Sequence, residues 1–306
     1  MDTTKTDRRR KENRSEESRK AQTAAAVAAS KQSRKTPREK GRENELKVLR
    51  WLADWGFTSP LLLSKLVGSQ SVRRIEKNGL IDRVETGSVY YPTLYRLSNL
   101  GLQFATELVD IDAEDRYDEI DISRIRLDKA RHELTAQHLT LDNKGKFFPN
   151  TTWLVGDHWT ERQFADLFTD DDGNPIYAKN AKLPDVVWTV TDMGDDGGET
   201  LKIAVEVELT KKGSIEPNSK TRYRLDQFIL RVLHSINTGK VDSYIIASRN
   251  QGILGSYQNA MTPGRTFRTW EKDKRGHWQP DKEIIVPDFA ATQIIYHHIT
   301  DDGRRL

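Results

Sequence analysis

Residues 183–212 read LPDVVWTVTDMGDDGGETLKIAVEVELTKK, and this stretch decides the fold. LPDVVWTVTD alternates as a β-strand, with Val186, Trp188 and Val190 on one face and Asp185, Val187 and Thr189 on the other. A turn-rich MGDDGGE follows. LKIAVEVELT then runs as a second strand, placing Ile203, Val205, Val207 and Leu209 on one side and Ala204, Glu206 and Glu208 on the opposite one. An antiparallel hairpin turning near residues 195–197 pairs residues whose numbers sum to about 391–393. Asp185 then falls opposite Glu206 or Val207 and diagonal to Glu208.

Three carboxylates on one face of a hairpin repel one another and lose hydration, and nearby hydrophobic packing does not offset that. A hard divalent cation does, so the pattern predicts Mg²⁺ or Mn²⁺ at Asp185, Glu206 and Glu208. Such an ion polarises a phosphodiester and activates water. Lys211 is the nearest cation in sequence that could stabilise the developing charge. The alternative is a solvent-facing acidic side of an antiparallel sheet.

Downstream, PNSKTRYRLDQFILRVLHSIN reads as a helix with Tyr223, Phe228, Leu230, Val232 and Leu233 among its apolar positions. Lys220, Arg222 and Arg224 at its start form either a phosphate clamp or a solvated face. VDSYIIASR supplies a core strand. The resulting order is strand, strand, helix, strand. Beyond residue 260 the pattern predicts short strands around a charged turn.

Upstream, GRENELKVLRWLADWGF spaces Leu46, Leu49, Trp51, Leu52 and Trp55 as a first helix. Thr58 or Ser59 caps a second, with Pro60 in its first turn, and after Gly68 a third begins at Ser69 or Ser71. Val84, Val89, Tyr91 and Tyr95 then flank the turn signal ETGS, and Ser98 caps a closing helix. This is the order of a winged helix-turn-helix. Its third helix would offer Gln70, Ser71, Arg73, Arg74 and Lys77 to a DNA groove while Val72, Ile75 and Leu80 face the core. Arg73 and Arg74 could read bases or grip phosphates. Arg83 and the tip near Thr86 to Ser88 would touch backbone or minor groove. Docking of a protein partner is the competing use of such a unit.

The net charge of +3 hides an asymmetry: residues 1–40 carry +7 and the remainder −4. A basic tail over residues 1–40 is expected to be disordered and either to meet a phosphate backbone or simply to solubilise the chain. Residues 41–108 form the winged helix, and VDIDAEDRYDEIDI (109–122) reads as an acidic linker lacking the glycine and final glutamate of a calcium loop. Residues 123–306 form the second domain, opening on a helix with Ile125, Leu127, Ala130, Leu134 and Leu139 in its apolar stripe. His132 and His138 on this helix do not share a face at metal-ligand spacing, so they read as structural or DNA-facing. With no cysteine in the chain, disulfides, Cys-ligated zinc, iron–sulfur clusters and thiol nucleophiles are excluded. No apolar run approaches a membrane span and no secretory h-region opens the sequence, so a cytoplasmic location is expected.

Pro184-Asp185 followed by Glu206-Val207-Glu208 resembles the two motif halves of the PD-(D/E)xK nuclease superfamily. The whole arrangement over about residues 41–250, a winged helix, a helix near His132, PDVVW and VEVELTKK, resembles the replication-relaxation family of plasmids and mobile elements, related to MobC-type relaxases. The resemblance implies an α/β (α+β) protein with a restriction-endonuclease-like domain and metal-dependent, strand-specific cleavage of double-stranded origin DNA. Asp185 and Glu206 would be the metal ligands, and relaxosome or coupling proteins the further partners. Glu208 stands where the family usually carries lysine, a position at which some members are active and others only bind DNA. A non-catalytic DNA-binding accessory or replication regulator is therefore the alternative. Tyrosine-relaxase chemistry is not supported, because the only close histidine pair, His297-His298, would point to opposite faces of a strand. Serine-hydrolase, Walker and dinucleotide motifs are also absent from the sequence.

Overall fold

The computed structural model describes residues 35–109, 125–148, 150–164, 183–194, 198–210, 212 and 221–300. The tail through residue 34, the acidic linker from residue 110, the turn at 195–197, Lys211 and Lys220 lie outside the described residues. The chain divides into two compact units within its first described helix, at Leu46/Lys47. In the first unit, Thr36 and Glu39 exchange hydrogen bonds that satisfy the amide of each, at 2.7 and 3.2 Å. Lys35 pairs with Glu43 at 2.8 Å.

The architecture is α+β. Helices α1 (Pro37–Trp55), α2 (Pro60–Val67) and α3 (Ser69–Lys77) lead into strands β1 (Ile81–Glu85) and β2 (Thr93–Leu97), then helix α4 (Asn99–Val109). The order is the one read from the sequence. Ser59 caps α2 by accepting from the Leu62 amide, and Ser98 accepts from the Gly101 amide at the start of α4. Gly68, at φ +81°, is both the end of α2 and the start of α3, a backbone state that disfavours a side chain. Strands β1 and β2 pair antiparallel from Ile81↔Leu97 to Glu85↔Thr93, so the connection runs from Thr86 to Pro92 and is longer than the ETGS signal alone suggests. Val89, read from the sequence as flanking the turn signal, lies within this connection and is 93% exposed.

Helix α5 (Leu127–Asn143) precedes β3 (Trp153–Thr160), the short α6 (Glu161–Phe164), β4 (Val186–Asp192) and β5 (Thr200–Val207). Helix α7 (Arg222–Asn237), β6 (Ser243–Ser248), α8 (Gln251–Ala260), strands β7 (Thr266–Lys272) and β8 (Trp278–Ile285), helix α9 (Ala290–Gln293) and β9 (Ile294–His298) complete the described chain. Five strands form one sheet in the order β3-β4-β5-β6-β9. The first three are antiparallel, and β5-β6 and β6-β9 are parallel. β4 and β5 pair from Val186↔Val205 to Thr191↔Thr200, within the expected register. β7 and β8 form a separate ribbon against α7.

Alternation divides the sheet between two cores, as period two requires. Val186, Trp188, Val190, Ile203, Val205 and Val207 join one core, and Val187, Ala204, Tyr244 and Ile246 join the other beneath α7 and α8. The first core is continuous with the helical unit: Val48, Leu52, Trp55, Ile75 and Leu80 belong to it alongside Ala136 and Leu139 of α5. Buried polar groups fasten the same seam. The Gln137 carboxamide accepts from Trp51 Nε1 at 3.3 Å and Thr58 Oγ1 at 2.5 Å, and donates to the Phe57 carbonyl at 2.8 Å. Thr160 Oγ1 donates to the Asp54 carbonyl at 2.8 Å. No helix among the described residues is long and apolar enough to cross a membrane.

Gly101 is the tightest point of α4, because a Cβ there would stand 1.8 Å from the Leu80 carbonyl oxygen, a backbone atom. Gly101→Ala is expected to lower stability by about 1–3 kcal/mol through overpacking, read as a fall in the urea midpoint with m unchanged. An unaltered midpoint would show that α4 shifts freely.

Candidate functional site

The acids lie where β4 begins and β5 ends, brought together by the antiparallel pairing. Asp185 donates its amide to the Val205 carbonyl at 3.1 Å, and its Oδ2 accepts from the Val207 amide at 2.7 Å. The Glu208 amide bonds the Ala247 carbonyl at 2.8 Å, and Ser248 Oγ donates to the Glu208 carbonyl at 2.6 Å, so β6 fixes the backbone beyond β5. Asp185, Glu206 and Glu208 are 8%, 0% and 3% exposed. A solvent-facing acidic sheet surface is therefore not what the protein has: α7 and α8 cover this side.

Cations supply the compensation. Lys212 Nζ donates to Glu206 Oε1 at 2.6 Å and also bonds Glu208 Oε1. Arg231 of α7 reaches the same Glu206 oxygen at 3.2 Å. Both cations also lie over the Phe228 ring, at 4.0 and 5.1 Å from its centroid. Burial works against the Arg231 charge, but the facing Glu206 carboxylate, helped by Tyr244, Asp185 and Glu208, holds its pKa above the ordinary arginine value. Tyr257 of α8 donates to Glu208 Oε2 at 3.1 Å and accepts from the Lys212 amide at 3.2 Å. Burial first, then the Glu208 charge, pushes its phenol well above the usual range, so it stays a donor. His132 of α5 bonds the Val207 carbonyl at 2.6 Å and lies 3.4 Å from Asp185 Oδ2. A carbonyl only accepts, so the His132 proton sits on Nε2.

Asp185 and His132 thus grip the two sides of Val207 while Glu206 and Glu208 share one ammonium. Among the described residues, no three Asp, Glu or His side chains stand together as a ready metal-binding group. The lysine of the site is Lys212, one residue beyond Lys211, which lies outside the described residues. Lys212, Arg231 and Tyr257 were not singled out from the sequence, and His132 had been read only as structural or DNA-facing. Arg231 and Tyr257 come from helices remote in sequence and carry no local signal; a lysine four residues after Glu208 was a usable one.

Asp185 and Glu208 open onto a cleft of about 680 Å³ whose lining also includes Asp54, His132, Thr210 and Lys212. Glu206 is not part of the lining; it supports from behind. Asp54 carries a second buried pair: its Oδ1 accepts from Gln163 at 2.9 Å, and its Oδ2 lies 3.7 Å from His158 Nε2. Burial raises the Asp54 carboxyl to about 6, against the pull of Arg50 and Lys144. Burial, helped by Lys144, lowers His158 to about 3.

The residues expected to meet DNA are spread over separate surfaces. On α3, Gln70, Arg73, Arg74 and Lys77 are exposed, Ser71 is half-buried, and Val72 and Ile75 are buried, as the helical period requires. Arg83 is exposed on β1 and bonds Glu85 at 3.2 Å. Arg222 corrects the proposed phosphate clamp: its Nε pairs with the fully buried Asp226 at 2.7 Å, which leaves the side chain 11% exposed. Asp226 also accepts from Trp270 Nε1 at 2.9 Å, so Arg222 anchors the β7-β8 ribbon. Arg224 is exposed and bonds the Tyr223 hydroxyl at 3.0 Å; Lys220 lies outside the described residues.

Protein-family models give no match to this chain, and comparison with curated proteins and with solved structures likewise finds none.

The Asp54 and His158 shifts oppose each other in their effect on stability. Asp54, raised to about 6, binds its proton more tightly folded than unfolded, so it removes stability as pH rises from about 4 to about 6. His158, lowered to about 3, is protonated more readily unfolded, so it adds stability as pH rises from about 3 to about 6.5. Asp54→Asn is expected to steepen the rise in stability across pH 4–6 and to stabilise the protein at pH 7, measured by urea unfolding at each pH. Parallel pH curves for the variant and the parent would disprove the shift.

Proposed function

We propose that the protein is a relaxase-like DNA endonuclease of the replication-relaxation type, in which a winged helix-turn-helix selects double-stranded origin DNA and a PD-(D/E)xK-like domain nicks one strand. The observation that carries this reading is the set of three buried carboxylates at the ends of β4 and β5, of which Glu206 and Glu208 share Lys212 and Asp185 and Glu208 open onto the cleft. The strand, strand, helix, strand order and the parallel β5-β6 pairing support the nuclease-like assignment. The donor chemistry fits Mg²⁺ or Mn²⁺, since all three acids are hard oxygen ligands. Asp185 and Glu208, the two acids that line the cleft, would hold the ion with Glu206 standing behind them, and the ion when bound would polarise a phosphodiester and lower the pKa of a water molecule.

The protein's own groups do the rest. The Val207 amide fixes Asp185, and Arg231 neutralises Glu206 from behind. Lys212 takes the place of the lysine displaced by Glu208 and offers its ammonium to the charge that develops on the phosphoryl oxygens. His132 holds the β5 end by the Val207 carbonyl. DNA selection falls to the exposed face of α3, with Arg83 beside it.

A second reading is favoured by one observation. Lys212 already pairs with both Glu206 and Glu208, and Arg231 with Glu206, so two cations answer these two acids in a salt-bridged network without any ion. In that case the protein binds origin DNA without cutting it, as a relaxosome accessory or replication regulator.

Incubating the protein with supercoiled plasmid carrying its origin and Mg²⁺ or Mn²⁺ separates the two. Conversion to open circle, reduced at least roughly 100-fold in Asp185→Ala and Lys212→Met, is expected. DNA binding without nicking in the parent protein would establish the accessory reading instead. Arg73→Ala and Arg74→Ala are expected to weaken origin binding in a mobility-shift titration. A loss of about 1–3 kcal/mol confined to origin DNA marks base reading, and an equal loss on random DNA marks phosphate gripping. Unchanged affinity in both would remove α3 as the reading element.

A further inference from the structure

Asp54 also lines a second pocket, of about 330 Å³, that the cleavage chemistry does not use. Its lining brings Lys47 and Arg50 of α1, Lys65 of α2 and Lys144 after α5 around Asp54 and His158. Four cations thus face one carboxylate. Some of this charge is engaged nearby: Lys65 bonds Asp142 and approaches His138 at 3.3 Å, and Lys144 pairs with Asp157 at 3.1 Å. The Arg50 guanidinium is exposed, and its charge pulls down the carboxyls of Asp54 and Asp157.

The independent observation is at the buried end. His158 is 7% exposed, and its Nε2 stands 3.2 Å from Trp55 Nε1. An indole nitrogen only donates, so Nε2 must accept and the imidazole proton must reside on Nδ1. Nδ1 is out of solvent and has no hydrogen-bond partner. A buried donor without an acceptor is uncommon in a well-packed protein and calls for an explanation. The stacking of Trp55 and the tilt of Trp51 against the ring, at 5.7 and 5.3 Å, leave little room for the imidazole to turn toward another partner.

From this combination we infer that the pocket binds a phosphate group, with Arg50, Lys47, Lys65 and Lys144 around its oxygens and the His158 Nδ1–H as the innermost donor. Phosphate matches better than a carboxylate. Its several oxygens can accept from a planar guanidinium, ammonium groups and an imidazole at once, and its charge answers more than one cation. Two sources share this chemistry: a free phosphate compound, and a backbone phosphate of DNA lying in the adjoining cleft. The second source rests on the proposed DNA cleavage; the pocket itself does not.

The test titrates the full protein with inorganic phosphate at constant ionic strength, chloride serving as the reference anion, and follows the melting temperature and the His158 ring nitrogen resonances. A saturable rise in melting temperature with a shift of the Nδ1 resonance is expected. Arg50→Gln with Lys144→Gln should weaken phosphate binding roughly tenfold or more, as loss of charged hydrogen bonds predicts. Both side chains are exposed, so the variant should fold, and far-UV circular dichroism checks this. Competition between phosphate and duplex DNA would assign the pocket to a backbone phosphate, and phosphate binding indifferent to DNA would assign it to a free compound. Absence of a saturable response, or one retained in the double variant, overturns the inference. Failure of the plasmid to be nicked would leave this measurement untouched, because Asp185, Glu206 and Glu208 do not line the pocket.

Discussion

The burial of three carboxylates within a few residues of one another is the constraint on which the rest of this structure depends. Glu206 is wholly out of solvent, and an isolated ionised acid there would be prohibitive. Each acid is answered by a different kind of group: Asp185 by a backbone amide, Glu206 by a guanidinium and an ammonium, Glu208 by that same ammonium and a phenol. Those partners arrive on α7, on α8 and on the segment after β5. Removing one partner of such a buried pair typically costs about 3–5 kcal/mol, because the remaining charge is left stranded. The helices of that face are therefore held to the sheet by electrostatics as well as by the apolar core of Phe228, Val232 and Tyr244.

The opposite face of the sheet is organised by shape and neutral hydrogen bonds. Trp51, Trp55 and Trp188 each bury an indole and each finds an acceptor, in Gln137, His158 and Thr140 respectively. Large rings contribute area, and the single N–H of each fixes its orientation. Gln137 is the hub, since one carboxamide ties together α1, the turn before α2 and α5. The result is that the helical unit and the sheet share a core instead of meeting across a solvated boundary.

Much of this was legible in the sequence, and the reasons are physical. Period-two alternation in VVWTV and IAVEV determined both strands, their faces and their register, because a shift of one residue would have exchanged the residues of the two cores. Ser59, Pro60, Gly68 and Ser98 marked helix boundaries through local backbone chemistry. What failed was long-range. The sequence carries no local sign that Arg222 turns inward to Asp226 instead of outward to solvent, or that Arg231 and Tyr257 converge on acids some 25 and 49 residues earlier. The ribbon after residue 260 was legible as short strands around a charged turn, but its anchor, a stack of Tyr223 on Trp278 at 5.5 Å, is created only by the tertiary fold.

The shared core also bears on how such a protein can diversify. Residues on the outer side of α3 can be exchanged for a new set without disturbing anything beneath, since only Val72 and Ile75 of that helix are buried. Transplanting the entire helical unit from another protein is a different matter. It would strand Gln137, His158 and Thr160 against foreign partners, so new target preferences in this architecture should arise by repainting one helix, not by shuffling modules.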